Sequence, residues 1–386
     1  MSLLSATSID EDRARPKAAL HVLGPPRRGC SDELTPIAPA PERPRDFEIP
    51  TALVDAAGRR VRYVRLSVTD RCDLACTYCM PPHGERAHAR REELLDFDEI
   101  VRLARVLHRM GVERLRLTGG EPLVRRGVPE LVARLHTVAP SLALTMTTNG
   151  TRLGPLAASL AQSGLSSVNV SLDSLDPQRF AAITRGGSLD LVLAGIEAAR
   201  AAGLEVKLNT VLQGEASLGE LPALIAWAWA RGLTPRFIEL MPMGEASSLP
   251  SSDFIPIARA RERLSGLVED GRDPSSARGP ARYLVEPRTD RRVGLIAAAS
   301  EPFCEGCNRI RLTARGELRG CLGHPHGVAL RPVLRHSGSD DRDLAWALVA
   351  GLSGARRGHE MPSIGARLAA SGDGAHARVG MSLVGG

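Results

Sequence analysis

The sequence predicts an α/β fold, a parallel sheet curled into a barrel, preceded by an arm and followed by an extension. Three observations carry this. Between residues 61 and 241, short β-branched or apolar runs alternate with helical patterns about six times, a rhythm that calls for parallel strands. No glycine-rich turn of the dinucleotide-binding kind follows the first strand, and a cysteine cluster stands there instead, which favours a barrel over a doubly wound sheet. Past residue 241 the rhythm breaks.

Residues 1–50 are dense in proline and charge without a lasting period and read as a disordered N-terminal arm, with Cys30 a bystander in it. Residues 51–245 hold the barrel. Its strands are expected near 61–68, 112–118, 142–147, 165–171, 204–211 and 234–240, and its helices near 97–110, 128–138, 153–163, 189–201 and 219–231. Residues 246–386 form the extension. Within it 265–290 is polar and rich in Gly, Pro and Arg, and reads as a mobile loop. Two short strand-like pieces, 291–298 and 309–313, flank the start of a second cysteine group, and the chain ends in Gly385-Gly386.

Composition narrows the classes. With 43% hydrophobic and 24% charged residues, the chain of 386 residues is ordinary for a soluble globular protein. Aromatics make up 3%, so nothing suggests a stacking platform for single-stranded nucleic acid. The net charge of +6 is a weak guide, because 50 basic and 44 acidic residues are interleaved. No apolar run is long enough to span a bilayer and the N-terminus lacks the order of a signal peptide, so a cytoplasmic protein without membrane or nucleic-acid partners is expected. Seven cysteines, one alone and six in two tight groups, make a poor disulfide framework and suit two metal sites.

The first group, VTDRCDLACTYCMPP, places Cys72, Cys76 and Cys79 with gaps of three and two residues. Such thiolates can hold zinc, with His83 or His88 completing a tetrahedron, or an iron-sulfur cluster with one iron left open to a small ligand. The second, FCEGCNRIRLTARGELRGCLGHPHG, holds Cys304, Cys307 and Cys321. A zinc ribbon using His324 or His326 and a second open cluster are both compatible with it.

Strand parity adds a substrate argument. If Val64, Leu66, Val68, Leu115, Leu117, Val206 and Leu208 form the outer rows, then Arg65, Ser67, Arg114, Arg116, Thr118, Lys207 and Asn209 point inward. Arg236 shares an inward row with Ile238, and Thr145, Thr147, Asn169 and Ser171 come from the two middle strands. Five basic groups in one interior, with no comparable row of inward acids, demand an anion, and a polyphosphate suits them better than one carboxylate. The bland alternative is a misregistered strand end whose side chain reaches solvent.

The first cysteine spacing, with Tyr78 just before Cys79, resembles the signature of the radical S-adenosylmethionine (SAM) superfamily, and LTGGEPLVR at 117–125 resembles its GGEP motif, here Gly119, Gly120 and Glu121. The run CNRIRLTARGELRGCL resembles the C-terminal motif of the molybdenum cofactor biosynthesis protein A family, the GTP 3',8-cyclases. The resemblance covers about residues 58–330 and the extreme C-terminus. It implies an incomplete (β/α)6 barrel and two [4Fe-4S] clusters, one on Cys72, Cys76 and Cys79 where SAM binds, one on Cys304, Cys307 and Cys321 that binds GTP through guanine. It implies SAM contacts at Tyr78, Gly120, Thr147, Ser171 and Met241. GTP contacts are implied at Arg65, Arg116, Lys207, Arg309 and Arg311, with Arg114 and Arg236 at the phosphates, and a catalytic part for Gly385 and Gly386. The implied reaction removes the C3' hydrogen of GTP by a 5'-deoxyadenosyl radical and joins C3' to C8, giving 3',8-cyclo-7,8-dihydro-GTP. The implied partners are an external electron donor and a downstream cyclic pyranopterin monophosphate synthase, and a homodimer is compatible with the family.

Overall fold

The computed structural model describes residues 37–82, 88–270, 280–301, 303–322 and 327–353. Strands in chain order are β1 (Ile37–Pro39), β2 (Tyr63–Ser67), β3 (Arg114–Thr118), β4 (Ala143–Thr148), β5 (Ser167–Ser171), β6 (Glu205–Leu212) and β7 (Thr234–Glu239). The extension adds β8 (Val268–Glu269), β9 (Arg282–Val285), β10 (Arg292–Ile296), β11 (Arg309–Leu312), β12 (Glu317–Arg319) and β13 (Gly327–Ala329). Helices are α1 (Phe97–Arg109), α2 (Val128–Val138), α3 (Leu153–Gln162), α4 (Pro177–Thr184), α5 (Leu189–Ala201), α6 (Gly214–Trp229), α7 (Ile257–Arg263), α8 (Arg331–Arg335) and α9 (Asp341–Ser353).

All strands join one sheet in the order β1-β13-β12-β11-β2-β3-β4-β5-β6-β7-β10-β9-β8. The run from β2 to β7 follows chain order without reversal, as in a barrel, whereas a doubly wound sheet reverses at a switch point. The sheet stays open, so the fold is a partial barrel. Its two open edges are extended by the extension: β11 pairs parallel with β2, and β10 parallel with β7. The chain between β10 and β11 therefore passes from one edge of the barrel to the other, and Cys304 and Cys307 lie on that passage.

Apolar parity sets which face is covered. Val64, Leu66, Leu115, Leu117, Met146, Val168, Val170 and Leu208 are all buried against the helical layer, where Ile100, Leu103, Leu107, Leu131 and Leu160 meet them. Helix α1 is opened by a capping box: Asp96 accepts from the Glu99 N–H at 2.8 Å, and Glu99 accepts from the Asp96 N–H at 2.7 Å. A one-residue slip of any strand would place its apolar row in the interior, so the register is tightly specified.

The structure departs from the expected outline in four places. Residues 37–50 pack on the protein, with β1 paired to β13, Arg43 bonded to Asp343 at 2.7 Å and Phe47 against Trp346 with ring centroids 5.2 Å apart. The segment expected as a mobile loop contains a hairpin, β8 with β9, and its residues 271–279 lie outside the described residues. Helix α4 was not expected, although Asp176, accepting from the Arg179 N–H at 2.8 Å, followed by Pro177 is a helix-start signal. Helix α6 begins at Gly214, earlier than its apolar pattern suggests. Among the described residues no helix is long and apolar enough to cross a membrane.

Glu239, at the end of β7, fastens the extension to the barrel. One carboxylate oxygen accepts from the Ile257 N–H at 2.9 Å, and the other from Ala299 at 2.9 Å and Ser300 at 2.8 Å. Glu239→Ala leaves three buried or half-buried donors without their acceptor and is expected to cost about 3 kcal/mol. A urea-unfolding midpoint equal to that of the unsubstituted protein would contradict this role.

Candidate active site

A cavity of about 330 Å³ occupies the concave face of the sheet. Tyr63, Arg65, Arg116, Thr147, Asn169, Asn209, Arg236, Ile296, Arg309 and Arg311 line it, and they come from the continuous parallel run of β11, β2 to β7 and β10. One end is formed by Cys72, Cys76 and Cys79, and Cys307 and Cys321 line it as well. The two cysteine groups, far apart in sequence, thus border one space.

The loop carrying the first group is held from three sides. Beneath it, Gly119 and Gly120 touch the backbone of residues 69–71: Gly120 donates to the Thr69 carbonyl at 2.9 Å and Glu121 to the Arg71 carbonyl at 2.8 Å. A Cβ on Gly119 would lie 2.4 Å from the Thr69 oxygen, and one on Gly120 2.3 Å from the Arg71 oxygen, so only glycine permits this approach. On a second side, α4 receives the Thr77 N–H at the Ile183 carbonyl, 2.9 Å away, and Arg185 donates to the carbonyls of Ala75 at 2.9 Å and Met80 at 2.7 Å. On the third, Tyr78 donates its hydroxyl to Asp173 at 2.7 Å, while the other Asp173 oxygen accepts from the Val211 N–H at 2.8 Å.

The donor set fits an iron-sulfur centre. All six cysteines among the described residues are half-buried. The Cys72 sulfur already receives the Leu74 N–H at 3.5 Å and the Asn149 side-chain N–H at 3.8 Å, the kind of N–H contact that stabilises a ligating thiolate. In the protein alone, burial pushes the Cys72 thiol up to about 11 and raises Cys76 well above its ordinary value, so the thiolates need a bound cation to persist. Among the described residues no three His, Cys, Asp or Glu side chains converge closely enough to hold one ion. A multi-iron cluster, in which each thiolate meets its own iron, spaces its ligands more widely than one ion does.

Of the residues assigned to SAM, Tyr78, Gly119, Gly120, Thr147, Ser171 and Met241 line the cavity. Glu121 does not reach it. It is fully buried, and its carboxylate accepts from the N–H of Leu123 at 3.0 Å and of Asn149 at 2.6 Å and from the Thr148 hydroxyl at 2.8 Å. Burial outweighs these bonds and lifts its carboxyl to about 7. Its place is to brace the Asn149 backbone, and Asn149 in turn holds Asp73 at 2.8 Å beside Cys72.

The basic residues divide into two levels. Register aligns Arg319, Arg311, Arg65 and Arg116 on adjacent strands β12, β11, β2 and β3, one rung of four guanidinium groups, of which Arg319 is paired with Glu317 at 3.1 Å. Arg116 is 4% exposed, bonded through Nε to the Tyr63 hydroxyl and through Nη1 to the Met146 carbonyl at 2.9 Å. Arg236 bonds Asn209 at 2.6 Å, and its β10 neighbour is Gly294, where a Cβ would lie 2.6 Å from the arginine side chain. Arg309 stacks on Phe303, 4.8 Å from the ring centre. Burial, together with Arg116, Arg309 and Arg236, draws Arg65 down to about 10, and burial beside Arg65 and Arg309 lowers Arg311 well below its ordinary value. Both remain charged, so these shifts express the cost of burying like charges side by side.

Arg114 and Lys207 lie toward the starts of their strands and do not line the cavity. Lys207 is joined by an acid of the same strand parity, Glu205, 2.7 Å away. Cys304 too is off the cavity surface, with its carbonyl receiving Arg59 at 2.6 Å. Gly385, Gly386, His83, His324 and His326 lie outside the described residues.

Residues 66–228 match the Radical SAM superfamily, and residues 233–361 match Molybdenum Cofactor Synthesis C. The partial barrel with a cysteine triad after its first barrel strand is that of a radical SAM protein. Over 312 residues, covering 80% of this chain and 88% of the relative, it is 45% identical to a GTP 3',8-cyclase of Caulobacter vibrioides. It is 44% identical over 311 residues to that of Rhodopseudomonas palustris, covering 80% and 90% of the two chains. The chain belongs to the GTP 3',8-cyclase family. Among solved structures, Streptococcus suis SuiB shares the fold, with a TM-score of 0.51 at 14% identity over 69% of this chain and 62% of that one.

Gly120→Ala forces its methyl group into the Arg71 backbone, which has no rotamer with which to yield. The expected outcome is a loss of more than about 3 kcal/mol of stability and less iron bound per chain after anaerobic reconstitution. Unchanged iron content and unfolding midpoint would show that the glycine pair does not support the cysteine loop.

Proposed function

We propose that this protein is a GTP 3',8-cyclase, converting GTP to 3',8-cyclo-7,8-dihydro-GTP in a SAM-dependent radical reaction, the first step of molybdenum cofactor biosynthesis. The observation that carries it is the single cavity bordered by both cysteine groups and by Arg65, Arg116, Arg236, Arg309 and Arg311. Cys72, Cys76 and Cys79 would hold a [4Fe-4S] cluster, and Cys304, Cys307 and Cys321 a second one. With SAM bound, the first supplies a 5'-deoxyadenosyl radical.

The remaining chemistry is positioning. Tyr78, Gly119, Gly120, Thr147, Ser171 and Met241 would receive SAM at the triad end. The Arg311–Arg65–Arg116 rung, with Arg309 and Arg236, would hold the triphosphate by charge-assisted hydrogen bonds that need no reorganisation when substrate arrives. Arg114 and Lys207 add positive potential from the strand starts, and Glu205 moderates it. Walls from the parallel run of β11, β2 to β7 and β10 fix the ribose against the SAM end and keep water and other hydrogen donors from the reacting carbon. The electron comes from an external donor, the product passes to a cyclic pyranopterin monophosphate synthase, and Gly385-Gly386 serve at the active site.

Anaerobic incubation of reconstituted protein with GTP, SAM and a reductant is expected to give 5'-deoxyadenosine together with the cyclised nucleotide; 5'-deoxyadenosine alone would refute the substrate. Arg65→Gln is expected to raise KM for GTP by about 30-fold to 1,000-fold, the loss of about 2–4 kcal/mol of charged hydrogen bonding. Cys304→Ala should leave SAM binding largely intact and abolish cyclisation.

A further inference from the structure

Tyr63 carries no assigned role in this site, yet its surroundings single it out. It stands on the inward row of β2, 5% exposed, and lines the cavity. Register sets it between Arg309 of β11 and Arg114 of β3, one rung from Arg65 and Arg116. Its phenol oxygen accepts the Arg116 Nε–H, and the Arg116 guanidinium carbon lies 5.8 Å from its ring centre. Among the described residues this is the side chain's one hydrogen bond, and it occupies a lone pair. The phenol's own proton is therefore left to be given to whatever fills the cavity.

The charged groups facing the phenol are Arg116 on β3, Arg65 on β2, Arg309 and Arg311 on β11 and Arg236 on β7. All are guanidinium groups, cationic in proteins and donors only. An ordinary buried tyrosine would pair with an acceptor of the protein. The charged groups around this one are all donors, an arrangement completed by an acceptor-rich anion.

We propose that Tyr63 is a further substrate-contacting residue, receiving the Arg116 N–H and donating its hydroxyl to a phosphate oxygen of GTP. The proposal rests on the reading of the cavity as a GTP site. The phenol thereby links the guanidinium to the triphosphate and fixes the Arg116 rotamer before substrate enters.

A pH signature follows. Burial alone would raise the phenol, and Arg116, Arg65 and Arg309 outweigh it, bringing Tyr63 to about 8 in the free protein. Below that pH the hydroxyl is protonated and can donate. Above it a phenolate faces an anionic substrate, and binding has to recover the proton, so affinity falls as pH rises.

The test is equilibrium binding of GTP, inorganic tripolyphosphate and guanosine to the anaerobically reconstituted protein between pH 7 and 9, with and without Tyr63→Phe. In the unsubstituted protein the Kd of GTP and tripolyphosphate is expected to rise by up to about tenfold per pH unit above 8, that of guanosine to stay level. Tyr63→Phe is expected to bind both anions about tenfold more weakly at pH 7, for the loss of one charge-assisted bond, and to lose the pH slope. The same affinity and the same slope in Tyr63→Phe would overturn the proposal. Should the variant fail to fold, calorimetry of the unsubstituted protein in buffers of different ionisation enthalpy decides. Uptake of about one proton on tripolyphosphate binding at pH 9 supports the proposal, and no uptake there overturns it. A tyrosine-dependent slope for tripolyphosphate without GTP binding would sink the substrate reading and leave the phenol's contact with anions standing.

Discussion

Arg311, Arg65 and Arg116 stand side by side on three hydrogen-bonded parallel strands, at the spacing of about 4.8 Å that separates neighbours in a sheet. Like charges so placed repel, and taking them from water adds to the cost. Nothing in the sheet lets them escape. The alternate residues Val64, Leu66, Leu115, Leu117, Ile310 and Leu312 are buried on the opposite face, and a shift that turned an arginine outward would turn an apolar residue inward. The protein supplies neutral acceptors, the Met146 carbonyl to Arg116 and the Asn209 side chain to Arg236, and these satisfy hydrogen bonds without cancelling charge. Glu205 is spent on Lys207 at the start of β6. In the proposed function a triphosphate would bring negative charge to this interior.

The extension makes this interior an enclosed one. Without β10 and β11 the barrel would be six strands with two bare edges; with them, Arg311 is added to the rung, Arg309 to the Tyr63 rung beside it, and Cys307 and Cys321 border the cavity. The passage from β10 to β11 crosses between the barrel's edges and carries Cys304 and Cys307, while Cys321 follows β12. Glu239 and Arg59 tie that stretch down, one through the N–H groups of Ala299 and Ser300, the other through the Cys304 carbonyl.

Much of this was legible in the sequence because it depends on local periodicity. Parity alone put Arg65, Arg116, Thr147, Asn169, Ser171, Asn209 and Arg236 on one face, and all of them line the cavity. Parity says nothing of depth along a strand, and so it did not separate Arg114 and Lys207 from the rest. Motif resemblance brought Glu121 into the SAM set, whereas its carboxylate is consumed by Leu123, Thr148 and Asn149, which only the folded loop reveals. Tyr63 shares the parity row of Arg65, but only the folded sheet shows that Arg116 donates to it. The edge pairings of β10 and β11 join segments more than 50 residues from their partners and have no local signature. Helix α4, by contrast, did have one in Asp176-Pro177, and its carbonyls hold the first cysteine loop.

The central claim is that the interior awaits a polyanion. It is tested most directly by the unfolding temperature of the reconstituted protein at fixed ionic strength, alone and with GTP, inorganic tripolyphosphate or guanosine. GTP and tripolyphosphate are each expected to raise it by several degrees at about 100 times their Kd, a stabilisation of about 2.7 kcal/mol, with guanosine giving less. An unfolding temperature that guanosine raises as much as GTP, and that tripolyphosphate leaves unchanged, would contradict it.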